Sequence, residues 1–425
     1  MKIVVLGLWH LGCVTAACAA KFAQVVGLDF DASNVANLRL GKAPIFEPGL
    51  ETLIQEGIRS GSLSFETDAA FACAGADLLW VTHDTPVDRD DLADVSPILD
   101  GIGRCVQRLP SRAIILISSQ VPAGTCRRLE AMYPGRRFAY SPENLRLGRA
   151  LEIFLKPDRI ILGTRTEADA EELREVLEHF SSNIIAVRPE SAEVIKHAIN
   201  SFLAASITLM NEVSRICEIV GADAKEVERG LKSESRIGPG AYLSPGGPFA
   251  GGTLARDVVA LTKIAGDNGE SLVLLPSIKA SNDQHKLWAL HRLQEELGSL
   301  KAKVIAILGL TYKPGTDTLR RSLAVELCQA LLRESAEIKT YDPAVDAMPE
   351  ALRSIPLFRN IEEAIDGVDG IVICTEWPQL LEVDWEKSLT RTSGRVVIDA
   401  NGFIEQRVRG VPSLVYRSVG RPRKP

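Results

Sequence analysis

Short runs of Val, Ile and Leu recur through the first 188 residues, separated by segments with helical periodicity. The runs are KIVVLG (2–7), QVVGLD (24–29), DLLWVTH (77–83), AIILISS (113–119), RFAYSPE (137–143), RIILGT (159–164) and NIIAV (183–187). Each has strand length, and most are apolar throughout rather than alternating. Strands buried on both faces read this way, and their alternation with helices marks a parallel sheet. A helix is predicted after the first run, through Ala16, and another near Val35. From Glu190 to about Val220 one long helical pattern takes over, ESAEVIKHAINSFLAASITLMNEVSRICEIV. The Gly/Pro/Ser-rich segment RIGPGAYLSPGGPFAGG (236–252) follows as a loop, and further helix is predicted from Leu254 to about Leu297. A second α/β segment opens at AKVIAILGLTYKPGTD (302–317), with later strands EIKTYD, GIVICT and RVVIDA. No repeat of solenoid period is present. The predicted fold class is α/β, with two Rossmann-like parallel-sheet domains joined by a long central helix within a helical middle domain. The bounds are 1–188, 189–298 and 299–425, with a cleft expected between the two lobes.

Composition narrows the function without naming it. The 425 residues are 46% hydrophobic and 24% charged, ample for sizeable cores. With 49 basic and 55 acidic side chains the net charge is −6, which argues against general nucleic-acid binding and leaves room for a small anionic ligand in a local cationic pocket. The eight cysteines form no C-x-x-C pair and lie mostly in apolar runs, as in a reduced cytoplasmic protein. No metal is expected. The first twenty residues have a superficial likeness to a signal peptide, but KIVVLG and QVVGLD flanking a glycine-bounded turn fit a folded β-α-β unit better. No apolar run is long enough to span a bilayer. The basic end RSVGRPRKP is expected to be solvated and disordered.

The opening turn GLWHLG, Gly7 to Gly12, nearly matches the dinucleotide fingerprint G-x-G-x-x-G. Gly7 takes the tight bend and Gly12 lets helix and strand pack closely, while Trp9 replaces the glycine that lets backbone approach a pyrophosphate. The indole and the His10 ring can themselves pack on a cofactor. Asp29, at the end of the second run, is placed to accept from ribose hydroxyls and to repel a 2′-phosphate, so NAD is the expected cofactor.

From this point the sequence resembles the UDP-glucose/GDP-mannose dehydrogenase family over nearly its whole length. The matching pieces, in the family's order, are APIFEPGLETLI (43–54), VTHDTP (81–86), QVPAGT (120–125), SPENLR (141–146), PDRIILG (157–163), EVIKHAINSFLAASITLMNE (193–212), RIGPGAYLSPGGPFAGG (236–252), LGLTYKPGTDTLR (308–320) and TEW (375–377). The resemblance implies an NAD-binding first domain, a central domain that dimerises and a last domain that grips the nucleotide sugar. It implies two NAD-dependent steps that take a C6 alcohol to a carboxylate without release of the aldehyde. On the cofactor it places Gly7, Trp9, His10, Leu11, Gly12 and Asp29, with Thr85, Gln120 and Arg320. On the sugar nucleotide it places Leu145, Arg146, Arg236, Tyr242, Leu243, Ser244, Gly247 and Lys313, with Arg236 crossing the dimer. Arginine suits a diphosphate because its planar fork pairs with phosphate oxygens.

The two oxidations need different groups. The first requires a base and a donor for the developing alkoxide. Lys196 and Asn200, four apart on the long helix, share a face and match the family's active-site pair. Asp257 matches its acidic partner. The second oxidation requires a nucleophile to trap the aldehyde and a water to cleave the product. The family uses a cysteine in G-G-S-C-F-P-K-D; here the run is AGGTLARD, Ala250 to Asp257. Counted back from Asp257, the nucleophile position holds Thr253 and the adjacent lysine is Arg256; with one residue deleted after the glycines, Leu254 stands there instead. Gln120 replaces the threonine of the strand-end S-T-V-P. Leu147 replaces the second glutamate of P-E-F-L-R-E, whose first is kept as Glu143. Asn401 stands where the family has arginine in D-G-R-N. The alcohol-oxidising groups are thus kept while three positions serving aldehyde capture and hydrolysis are changed. Cys126, directly after VPAGT, is the alternative thiol.

The expected activity is therefore an NAD-dependent oxidoreductase of a UDP- or GDP-sugar alcohol that stops at, or passes through, a carbonyl. The alternatives are a full four-electron 6-dehydrogenase giving a uronate and a non-catalytic nucleotide-sugar-binding homologue. A homodimer is expected, with no nucleic-acid or membrane partner.

Overall fold

The apolar runs pair as two separate sheets. A computed structural model describes residues 1–422 apart from 87, 89, 90, 144 and 251. Asn144 and Gly251, each within a family-like motif, and Arg423, Lys424 and Pro425 of the tail lie outside the described residues. The chain divides into two compact units, Met1–Ile199 and Asn200–Pro425.

The first unit carries β1 (Lys2–Leu6), β2 (Gln24–Leu28), β3 (Leu63–Glu66), β4 (Leu78–Val81), β5 (Ile114–Ile117), β6 (Arg137–Tyr140), β7 (Ile160–Gly163) and β8 (Ile184–Val187). Their order is β3-β2-β1-β4-β5-β6-β7-β8, so the winding reverses between β1 and β4. β4 and β5 are buried at every residue, as their unbroken apolar sequences require. The first run is β1, paired on both sides by β2 and β4, and hence part of the folded core. The sheet is parallel except where β6 meets β7, which run antiparallel and pair at Tyr140 and Gly163. The helix His10–Ala19 packs its small residues, Cys13, Ala16 and Ala17 among them, into the core below β1.

In the second unit β9 (Val304–Leu308), β10 (Glu337–Tyr341), β11 (Leu357–Phe358), β12 (Gly370–Ile373), β13 (Val396–Asp399) and β14 (Val415–Arg417) form a parallel sheet ordered β11-β10-β9-β12-β13-β14. Helices Trp288–Leu297 and Leu323–Arg333 cover one face, and Trp377 and Trp385 sit in the core of the other. Two parallel sheets with helices between them in sequence were expected, and both are present. The long helix runs Pro189–Val220, within a residue of its predicted start. The helical stretch expected from Leu254 to about Leu297 consists of three helices, Thr253–Asp267, Leu274–His285 and Trp288–Leu297. Gly269, at φ +76°, ends the first, and Pro276 sits in the opening turn of the second, where its missing N–H costs nothing.

The C-terminal segment is not the solvated end its charge suggested. Arg417 belongs to β14 and pairs with Glu296 at 2.6 Å, and Val419 is buried. The Gly420 N–H donates to Glu218 at 3.0 Å, and Arg421 pairs with Asp223 and Glu405. Carboxylates waiting on the helical segment turn a basic tail into a packed one as far as Arg421.

The glycine-rich loop has no regular structure, so side-chain amides satisfy its backbone. Asn282 accepts from Phe249 N–H at 3.0 Å and donates to Phe249 O at 2.9 Å. Asn401 Oδ1 accepts from Gly247 N–H at 2.7 Å, and His285 Nε2 donates to Gly246 O at 2.8 Å. His285 is buried and its Nδ1 has no protein partner. Burial drives its pKa down to about 4, against the opposing pull of the Gly246 carbonyl. The folded state therefore holds neutral imidazole, while the unfolded chain takes up a proton below about pH 6.5. Stability should fall from about pH 6.5 to about pH 4 by roughly 3 kcal/mol on account of this residue. Urea melts across that range check it: His285→Gln should lack this part of the acid loss, relative to wild type.

Candidate active site

At the end of β1 the chain turns on Gly7, whose φ is +93°. A Cβ there would lie 2.7 Å from His83 Cγ, so glycine is required for both dihedral and space. A Cβ on Gly12 would run into the Gly7 carbonyl oxygen. Trp9 has φ −91° and ψ −152°, ordinary extended backbone, and its side chain is 47% exposed. The second fingerprint position here makes no demand that only glycine meets. Trp9 is also the N-cap of helix His10–Ala19 and supplies no side-chain cap, which leaves the first helical N–H groups for an anion.

Asp29 Oδ2 accepts from Leu8 N–H at 2.7 Å and Oδ1 from Asp31 N–H at 3.0 Å. A cavity beside the turn is lined by Trp9, Asp29, Asp31, Ser33, Asn34, Asn37 and Pro44. Two carboxylates and no cation line it, which suits ribose hydroxyls and disfavours a 2′-phosphate. The turn, the uncapped helix and this cavity fit NAD. Leu11 is half-buried in the first turn of the helix. Thr85 and Gln120 come together, with Thr85 Oγ1 donating to Gln120 O at 2.7 Å. Arg320 belongs to the second unit, in an exposed turn where its N–H meets Thr318 Oγ1.

Lys196 is buried on the long helix, and its ammonium donates to Glu143 O at 2.7 Å. The Glu143 carboxylate accepts from Leu145 N–H. Leu145 is half-buried; Arg146 and Leu147 are exposed. One turn beyond Lys196, Asn200 Nδ2 donates to Asp257 Oδ2, and both residues are buried. Thr253 is exposed at the start of its helix, one turn before Asp257, after Gly252 at φ +109°. Leu254 packs against the apolar cluster of Phe249 and Val258, so its side chain serves the core. Cys126 is 0% exposed, and its thiol is pushed well above the ordinary range, chiefly by burial and then by Glu193.

In the second unit Tyr242, Ser244 and Gly247 line a cavity of about 780 Å³ with Lys225, Lys232, Glu376 and Asn401. Ser244 Oγ donates to Glu228 at 2.8 Å. Lys313 and Tyr312 line a second cavity of about 390 Å³, which also has Gly247 and Asn401 in its wall. The expected sugar-nucleotide residues Gly247 and Lys313 thus face one space. Leu243 does not join them: its side chain packs with Met210 and Cys217. Arg236 lies apart as well, 86% exposed at its side chain and paired with Glu234 at 2.9 Å.

Sequence reasoning passed over several groups. His83 wedges between Gly7 and Gly101, and its Nδ1 is buried without a partner. Burial lowers its pKa. Glu47, inside the APIFEPGL motif, is buried and bonds to His10. Asn401, which the sequence placed at the family's arginine position, donates to Glu376 at 2.8 Å besides accepting from Gly247. A polar residue among apolar neighbours was the available signal for Glu47; the partner was not legible.

Comparison with known proteins agrees with this arrangement. Residues 1–181 match the NAD binding domain of the UDP-glucose/GDP-mannose dehydrogenase family, 190–284 its central domain and 306–406 its UDP binding domain. The chain is 32% identical to a UDP-glucose 6-dehydrogenase of Pseudomonas aeruginosa, covering 100% of this chain and 98% of that protein. It is 30% identical to UDP-glucose 6-dehydrogenase TuaD of Bacillus subtilis, covering 99% and 93%. Among solved structures, a UDP-glucose dehydrogenase from the archaeon Pyrobaculum islandicum superposes with a TM-score of 0.86 at 31% identity, covering 99% and 98% of the two chains. With three matched domains and relatives similar over its whole length, the chain belongs to the UDP-glucose/GDP-mannose dehydrogenase family of NAD-dependent nucleotide-sugar oxidoreductases, and NAD is its cofactor.

Proposed function

We propose that this chain removes one hydride from an alcohol of a UDP- or GDP-sugar and stops at, or passes through, the carbonyl rather than forming a uronate. The observation that carries this reading is the run AGGTLARD, which offers Thr253 and no sulfur where a family member would trap the aldehyde. A threonine hydroxyl without an adjacent base is a poor nucleophile at neutral pH. Cys126 is no substitute: a thiol wholly buried and held protonated neither reaches a substrate nor attacks one.

The groups for alcohol oxidation are retained. The alcohol loses a hydride to NAD and a proton to solvent. Lys196, whose ammonium donates to Glu143 O, is the proposed cationic donor to the oxygen that becomes negative. Asn200, fixed by Asp257, offers a second oriented amide. The bounds 1–188, 189–298 and 299–425 are assigned respectively to cofactor, dimer contact and nucleotide sugar. Gly247, Ser244, Tyr242 and Lys313 are the proposed sugar-nucleotide contacts.

A homodimer is part of this reading. Phe202, Leu209 and Ile216 recur every seven residues on the long helix, and all three are exposed. Ile219, Val220, Val273 and Leu274 are exposed too. A second copy covering this stripe is the proposed partner, with Arg236 reaching across to it. Among the described residues no helix is long and apolar enough to cross a membrane; a cytoplasmic place is proposed from the free cysteines.

With NAD and a panel of UDP- and GDP-sugars, the expected outcome is at most one NADH per sugar nucleotide consumed and no uronate by mass spectrometry. Two NADH with a uronate would overturn the reading. Cys126→Ala should leave turnover unchanged. Leu209→Asp should shift the protein from dimer to monomer in sedimentation velocity; an unshifted boundary would remove the stripe as the contact.

A further inference from the structure

The Glu47 carboxylate is a meeting point of three segments of the first unit. Its side chain is 1% exposed. Oε1 accepts from Ala150 N–H at 2.9 Å, and Oε2 from Gly148 N–H at 2.8 Å. Oε2 also lies 3.0 Å from His10 Nε2. Burial alone would raise the carboxyl's pKa, but the two N–H groups and His10 outweigh it and hold Glu47 below the ordinary range. An ionised carboxylate only accepts, so His10 donates from Nε2.

The three donors have different duties. His10 is the first residue of the helix that follows the cofactor turn. Gly148 and Ala150 follow Leu145, whose N–H the Glu143 carboxylate accepts, and the Glu143 carbonyl holds the Lys196 ammonium. The hydrogen bonds therefore run from the cofactor turn through Glu47 to the segment that fixes Lys196. We infer that Glu47 is a positioning residue, through which NAD bound at the Trp9–His10 turn orders the 145–150 segment. The step to Lys196 rests on the proposed role of that lysine; the link between turn and segment does not.

Two sites that bias one element are coupled, and the coupling is measurable without chemistry. The experiment is amide hydrogen exchange on the full chain, with and without NAD alone, read at Gly148 and Ala150. In wild type, NAD should slow exchange there by about tenfold, toward the lower end of the usual range for coupled sites. His10→Phe keeps an aromatic ring and leaves Glu47 its two backbone bonds, so the segment keeps its cap. In that variant, NAD should no longer slow these amides. His10→Gln, whose amide can still donate to Glu47, should restore the protection. A residue that merely stabilised the fold would change exchange equally with and without NAD. Glu47→Gln should speed exchange at Gly148 or Ala150 even without NAD. NAD protection that persists in folded His10→Phe, or is missing from wild type, overturns the inference. Because no turnover is measured, neither outcome bears on whether the sugar stops at a carbonyl.

Discussion

A chain leaving the C-terminal edge of a parallel sheet carries N–H groups that the ladder no longer accepts, and in this protein carboxylates take them. Asp29 holds Leu8 N–H as the chain leaves β1. Asp342 holds Leu310 and Thr311 N–H, at 2.6 and 3.0 Å, as it leaves β9. Asp399 accepts from Ile404 N–H beyond β13, and Glu193 from Gly124 and Cys126 N–H beyond β5. Each such bond fixes a loop at the edge where α/β proteins bind ligands. Left unpaired, these groups would each cost about 1–3 kcal/mol on burial, so loop geometry and fold stability are set by the same contacts.

The two sheets use this device in closely related ways and to different ends. β1 and β9 both end in Leu-Gly-Leu, and both glycines have positive φ, +93° at Gly7 and +89° at Gly309. Both following leucines donate to an aspartate at the end of the neighbouring strand. At Asp342, however, Oδ2 also takes the Thr311 hydroxyl and the Trp377 indole N–H, and the residue is buried. Asp29 faces a cavity instead. Asp29 therefore borders open space, while Asp342 is enclosed by the protein's own donors.

Much of this was legible beforehand because it rests on local rules. Strands buried on both faces announce themselves as apolar runs, and a helix as long as Pro189–Val220 carries its period for many turns. Gly7, Gly12 and Asp29 were assigned roles from spacing; in the structure Gly7 has a positive φ, Gly12 has no room for a Cβ, and Asp29 accepts from the Leu8 and Asp31 N–H groups. What escaped the sequence rests on partners distant in the chain. Glu47 meets Gly148 and Ala150 a hundred residues later. The basic tail was misjudged because Glu218 and Asp223, about 200 residues earlier, neutralise and pin it. Leu243 sits inside a binding-loop motif, yet its side chain belongs to the core, since the loop must anchor itself before it can present anything. Trp9, the defect in the fingerprint, was hard to weigh because its effect depends on a backbone conformation the sequence does not display.

That conformation gives the protein an optical property. All five tryptophans are described; Trp80, Trp288, Trp377 and Trp385 are buried, and Trp9 alone stands in solvent, on the rim of the cavity at Asp29. The red edge of the emission spectrum therefore belongs to one indole. An unlabelled sample carries its own reporter of events at that rim, with aqueous quenchers acting on that fluorophore first.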